Sequence, residues 1–164
     1  MQKKVCILGA PSSGKTRLLA SFSGTSYEDW NAASGVAVAR AQVSRPSADI
    51  SLILWDVHGE EQFMRIRRAF LRGCAGYVLV VDGTRPETLD RALELPSLVQ
   101  ETAGDKPFVA VFNKADVKGD WAVPQDAPTL LATSGWTVVE ASAKTGDGVV
   151  AAFQALTEKI LPKE

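Results

Sequence analysis

Cysteine is scarce in this chain. Only Cys6 and Cys74 occur, far apart and each among apolar residues, which excludes the disulfide framework of a small secreted domain and points to a reducing, cytoplasmic setting. An excess of charge of one sign is missing too. Eighteen Lys and Arg face nineteen Asp and Glu, a formal net charge of −1, so the basic excess that would neutralise a phosphate backbone is lacking and nucleic acid is not an expected partner. Long hydrophobic runs are also lacking. The apolar stretch after Met1-Gln2-Lys3-Lys4 is broken by Gly9 and Pro11, which leaves neither a signal-peptide core nor a membrane span. No Gly follows Met1 and no Cys lies near Pro162-Lys163-Glu164, so no lipid anchor is visible. What is present is ordinary globular material: 46% hydrophobic and 23% charged residues over 164 positions. That is about one domain's length with enough apolar surface for its own core, and residues 1–164 are expected to form a single domain.

Apolar runs alternate with Gly-, Pro- or polar-marked breaks. Residues 4–9, 36–43, 49–55, 76–82, 108–113 and 137–140 read as strands, and residues 15–22, 62–72, 87–101, 126–133 and 147–160 as helices. Residues 36–43 place Ala37, Ala39, Ala41 and Val43 on one face, and the short Arg45-Pro46-Ser47 break before the next strand suggests an antiparallel pair. In the last helix Val150, Phe153, Thr157 and Ile160 are expected to share the buried face. The class is α/β: a six-stranded, mostly parallel sheet with one antiparallel strand and five helices on both faces.

Four constellations carry chemistry. Gly9-Ala10-Pro11-Ser12-Ser13-Gly14-Lys15-Thr16 matches G-x-x-x-x-G-K-[ST] between a strand and a helix, the context of a phosphate-binding P-loop. Its backbone N–H groups and the helix N-terminus face an anion, Lys15 supplies a point charge, and Thr16 offers a hydroxyl to Mg²⁺. Arg17 follows directly and is counted with the nucleotide contacts. Asn113-Lys114-Ala115-Asp116 closes an apolar strand. Its Asp carboxylate can accept from the adjacent N–H donors that guanine presents, whereas adenine would turn a lone pair toward it. The Lys114 stem can lie over the base, and Asn113 can tie this loop to the P-loop. Trp55-Asp56-Val57-His58-Gly59-Glu60-Glu61 ends another strand, with Asp56 suited to hold a metal through water and the Gly59 N–H to approach a γ-phosphate. Weaker still, the backbone of Ser142-Ala143-Lys144 could receive the guanine carbonyl.

Together these motifs resemble those of a Ras-superfamily small GTPase, closest to the Rab and Ras branches, over essentially the whole chain. Trp55-Asp56-x-x-Gly59-x-Glu61-x-Phe63 and Phe70-x-Arg72-Gly73 resemble a Rab-like second switch. The resemblance implies a P-loop NTPase G domain acting as a monomeric switch that binds Mg-GTP and GDP and hydrolyses GTP slowly. It places Tyr27 against the guanine edge, Ser34 with Thr16 and Asp56 at the metal, and Lys15, Gly59 and Glu60 at the hydrolytic centre. Effectors and regulators are expected at residues 27–36 and 56–72.

The chain departs from the family in four places. Ser34 stands for the usual first-switch Thr, and a one-residue gap would put Ala33 there instead. Pro11 removes an N–H beside the γ-phosphate, Glu60 replaces a water-orienting Gln, and the lipidated tail is missing. The rival reading is a GTP-binding interaction module with little or no hydrolysis. An ATP-dependent enzyme would leave Asp116 without a purpose. His58, the one histidine, and the cluster Arg65, Arg67, Arg68 and Arg72 read as solvated side chains, while Trp121 and Trp136 are expected to pack.

Overall fold

The computed structural model describes residues 1–24, 36–57 and 69–161. Six strands form one sheet: β1 (Gln2–Gly9), β2 (Val36–Val43), β3 (Ile50–Val57), β4 (Gly76–Asp82), β5 (Phe108–Asn113) and β6 (Thr137–Glu140), in spatial order β2-β3-β1-β4-β5-β6. All neighbouring pairs are parallel except β2 with β3, which run antiparallel with Val36 opposite Val57 and Val43 opposite Ile50. Four α-helices are described: α1 (Lys15–Ser23), α2 (Pro86–Ala103), α3 (Ala127–Thr133) and α4 (Val149–Ile160). The expected helix over 62–72 falls mostly outside the described residues, of which 69–71 are helical.

The period-two alternation of β1 and β4 divides the interior. Val5, Ile7, Val78 and Val80 point to one face, where Leu18 and Leu19 of α1 and Phe153 and Leu156 of α4 cover them. Cys6, Leu8, Tyr77 and Leu79 point to the other, under Leu95 and Val99 of α2. β4 is buried at every position, as expected of a strand covered on both faces. β2, at the sheet edge, buries Ala37, Ala39 and Val43 and exposes Val38. α1 and α4 are joined by Phe22 stacked on Phe153, with centroids 4.0 Å apart. Removing the wholly buried Phe153 ring would cost about 3–5 kcal/mol and loosen the helix that begins with Lys15.

Sequence expectations change at α4 and at β3. α4 starts at Val149, because Gly148 adopts φ 75° and caps it. Its buried stripe is Val149, Ala152, Phe153, Leu156 and Thr157, with Val150 turned outward at 54% exposure. The sequence of α4 is apolar nearly all round, so several stripes compete on paper and only docking on the sheet selects one. β3 also runs on through Val57, which places Asp56 inside the strand. No helix among the described residues is long and apolar enough to cross a membrane.

Candidate nucleotide site

β3 and β4 flank β1 on opposite sides, so the chain leaves β1 at the point where the strand order reverses. In an open α/β sheet the crevice at that point, beyond the strand C-termini, is where ligands bind. The residues after β1, β4, β5 and β6 meet there.

After β1, residues 10–14 turn tightly into α1. Ser13 N–H donates to the Ala10 carbonyl at 3.2 Å, and Ser13 is wholly buried. Gly14 caps α1 at φ 101°, and a Cβ there would lie 2.3 Å from Asn113 Nδ2. No other residue fits at that position. The Lys15 ammonium, 7% exposed, donates to the carbonyls of Gly9 at 3.2 Å and Ala10 at 3.0 Å, which holds its charge across the loop. Thr16 Oγ1 donates to Asp56 Oδ2 at 2.5 Å, joining α1 to the end of β3. Asp56 is fully buried. A hydroxyl and a buried carboxylate brought together are hard oxygen donors, and they fit Mg²⁺.

Asn113, at the end of β5 and 2% exposed, is a hub. Its Nδ2 donates to the Ser13 carbonyl at 3.4 Å, its Oδ1 accepts from Ala143 N–H at 3.0 Å, and its own carbonyl accepts from Gly83 N–H at 3.2 Å. The P-loop and the two loops after β5 and β6 are thus tied together, as the sequence suggested for Asn113. Asp116 lies exposed on a 3-10 turn, Ala115–Asp120, and its Oδ1 accepts from Ser142 Oγ at 2.7 Å. Between these loops is a cavity of about 110 Å³, lined by Arg17, Asn113, Lys114, Asp116, Ala143 and Lys144 over Gly14. Three cations and one acid edge it. The N–H groups of Ser142 and Ala143 are engaged, by the Asp147 carbonyl and Asn113. A guanine carbonyl would therefore share the Ala143 N–H or take that of Lys144.

Two contributors, Asp82 and Arg85, were not singled out in the sequence, and a third, Trp121, packs as expected but also makes a polar contact the sequence did not suggest. Asp82, wholly buried at the end of β4, pairs with Lys114 Nζ at 2.7 Å and accepts from Thr84 N–H and Oγ1 at 2.9 and 2.7 Å. Burial pushes its carboxyl up, but the hydrogen bonds from Lys114 and Thr84 outweigh it and hold the group below its ordinary value. Arg85 Nη1 reaches the carbonyls of Pro11 and Ser12, both at 3.1 Å. Trp121 Nε1 donates to the Lys114 carbonyl at 2.9 Å. The only non-glycine residues with positive φ among the described residues are Ser12 (60°) and Lys114 (70°), and both belong to this site. Tyr27, Ser34, Gly59 and Glu60, with Trp30, His58, Glu61, Phe63 and Arg65, Arg67 and Arg68, lie outside the described residues.

Residues 4–162 match the Ras family. The chain is 31% identical to Ras-related protein RABC2a of Arabidopsis thaliana over 166 residues, covering 96% of this chain and 77% of that protein. It is 29% identical to Ras-related protein Rab-3B of Bos taurus and of Homo sapiens over 163 residues, covering 98% of this chain and 74% of each. With the strand order and nucleotide loops above, this chain is a member of the Ras family of small GTPases.

Proposed function

We propose that this chain is a guanine-nucleotide switch, binding Mg-GTP and GDP and hydrolysing GTP slowly to GDP and phosphate. The observation that carries the reading is the Asp116 carboxylate, exposed at a cavity bounded by the P-loop and positioned by Ser142. The pair of N–H donors on a guanine edge matches a carboxylate, and adenine does not. Lys114 and Arg17 border the same cavity and suit the base plane and the anionic end of a nucleotide. Gly9, Ala10, Ser12, Ser13, Gly14 and Lys15 form the phosphate cradle, with the α1 N-terminus behind it.

Thr16 and Asp56 are the described residues that would hold Mg²⁺, with Ser34 assigned to the same ion from the sequence alone. When bound, the ion neutralises charge building between the β- and γ-phosphates. Lys15 would supply its positive charge to the phosphates, and its amine is already desolvated at the loop. Glu60 and Gly59 are assigned to the attacking water and the γ-phosphate. Residues 27–36 and 56–72 are the surfaces on which effectors and regulators would read the bound phosphate count. The chain is expected to act as a monomer.

The test is direct. Chromatography of nucleotide released from the purified protein should yield GDP or GTP, excess ATP should fail to displace it, and single-turnover hydrolysis of loaded GTP should be measurable. Displacement by ATP at equal concentration would overturn the base assignment. Retained GTP with no hydrolysis would make the chain an interaction module instead.

A further inference from the structure

The 3-10 turn that presents Asp116 is bracketed by two residues that also touch each other. Lys114 caps its start in the left-handed region at φ 70° and ψ 35°, and Trp121 ends it, donating its backbone N–H to the Lys118 carbonyl at 3.1 Å. The indole Nε1 then reaches back across the whole turn to the Lys114 carbonyl at 2.9 Å. Lys114 is not a residue that takes positive φ readily, and its peptide needs a partner to stay there. Inside the turn Val117 departs from helical geometry, with φ −122° and ψ 41°, and its N–H donates to the same Lys114 carbonyl at 3.1 Å, so the indole adds a second bond to a carbonyl that the turn alone holds from one side.

The ring that delivers this bond is itself held. A Cβ at Gly83 would lie 2.2 to 2.5 Å from Trp121 ring atoms, so the indole lies directly on the Gly83 backbone. The Gly83 carbonyl accepts from Ala122 and Val123 N–H at 2.8 and 3.2 Å, and its N–H donates to Asn113. Phe112 flanks the ring at 6.1 Å between centroids. Lys118 Nζ stands 5.5 Å from the ring centroid and is tethered to Glu140 at 2.9 Å. A residue serving only to fill space would need none of this polar wiring.

We infer that Trp121 is a positioning residue for base recognition: its indole N–H, seated on Gly83, fixes the Lys114 peptide and so the angle at which Asp116 meets the base. The inference rests on the guanine-nucleotide reading above. It predicts an effect at the base end of the nucleotide and none at the γ-phosphate end. Losing one partly buried hydrogen bond that organises a loop corresponds to about a fivefold change in a rate or affinity.

The test uses Trp121→Phe, which keeps an aromatic ring and removes the donor, and Gly83→Ala, which keeps the indole and lifts it off its seat. Each variant's melting temperature is recorded beside wild type. Release of GDP and of IDP, whose base lacks the amine that Asp116 would read, is followed with excess unlabelled nucleotide. We expect GDP release to rise about fivefold in both variants while IDP release changes less, so that the preference for GDP over IDP narrows by about threefold. The ratio of GDP to GTP release should stay at the wild-type value. A folded Trp121→Phe with the wild-type GDP/IDP preference overturns the positioning role and leaves the guanine reading standing. If Trp121→Phe does not fold, Gly83→Ala decides by the same ratio. Wild-type protein that retains no guanine nucleotide refutes both.

Discussion

Arg85 lies 74 and 73 positions from Pro11 and Ser12, yet one of its nitrogens spans their two carbonyls at 3.1 Å each. In a P-loop the N–H groups must face the phosphates, so the carbonyls turn outward, and a cation on that outer side favours the orientation. Ser12 also carries φ 60°, which costs a non-glycine residue about 1–2 kcal/mol and leaves the loop ready to relax when no anion holds it. Because a single nitrogen serves both carbonyls, the contact counts as one charged hydrogen bond, about 1.5–3 kcal/mol when well shielded. The Arg85 side chain is 37% exposed and shared with Glu87, so screening reduces this to about 1–2 kcal/mol. Arg85→Ala should therefore speed GDP release about 5- to 30-fold, as an upper range, since part of the loss falls equally on the free and bound states. Arg85→Lys keeps the charge but not the fork, and should fall between. Stopped-flow displacement of a fluorescent GDP analogue, at two ionic strengths, reads this directly. The share of the loss felt by the ligand-free fold should lower the melting temperature by no more than about 8 °C. Arg85→Ala release within twofold of wild type would refute the argument that this contact pre-organises the loop.

Asp116→Asn should weaken GTP by about tenfold or more, the penalty of an unsatisfied polar group, and improve xanthosine triphosphate, which carries a carbonyl where guanine has its amine. Unchanged GTP affinity in a competition assay would end the assignment. The Asp82 carboxyl is held below its ordinary 3.8 by Lys114 and Thr84 against the opposing effect of burial. Its stabilising contribution is therefore complete above the unfolded carboxyl value and is lost as pH falls through the still lower folded value. GDP retention should accordingly be flat from about pH 7 to 5, whereas Asp82→Asn should release GDP faster at neutral pH. Release at the wild-type rate would show that the Lys114 pair contributes nothing. For hydrolysis, residues 24–39 contain no Arg or Lys before Arg40 that could assist in cis, and Glu60, in the role proposed for it, would add negative charge where the transition state already holds it. Single-turnover hydrolysis should run near the roughly 10⁻⁴ to 10⁻³ per second of unaided relatives and rise about tenfold in Glu60→Gln. A wild-type rate above about 1 per second would point to a catalytic group read here as solvated, His58 first.

The strands were legible because their signal is local. Buried parallel strands such as Gly76–Asp82 and Phe108–Asn113 are short β-branched or apolar runs with sharp polar ends, and they begin and end where the sequence places them. The antiparallel pair followed from the Arg45-Pro46-Ser47 break and the alternation of Ala37, Ala39 and Val43. α4 was harder. Val150 sits in an apolar run where adjacent stripes differ little in hydrophobicity, and its outward orientation is decided by the sheet, not by the helix.

The same distinction governs the site. The P-loop, Asn113-Lys114-Ala115-Asp116 and Ser142-Ala143-Lys144 are contiguous, so the spacing of residue types within each segment is itself the chemical signal. Asp82, Arg85 and Trp121 have no such signature: each acts through its side chain on a backbone carbonyl or an amine outside any motif of its own. Nothing in their neighbours announces it. A retrospective hint exists in the Asp82-Gly83-Thr84-Arg85 stretch, which ends a fully apolar strand with a carboxylate and a glycine, a costly combination unless something nearby requires both. Lys114 requires the carboxylate and the Trp121 ring requires the glycine. The end of β4 therefore serves the base loop on one side while Arg85, one turn further, serves the P-loop on the other. Asn113, bonded to both loops, keeps base and phosphate recognition in a single frame.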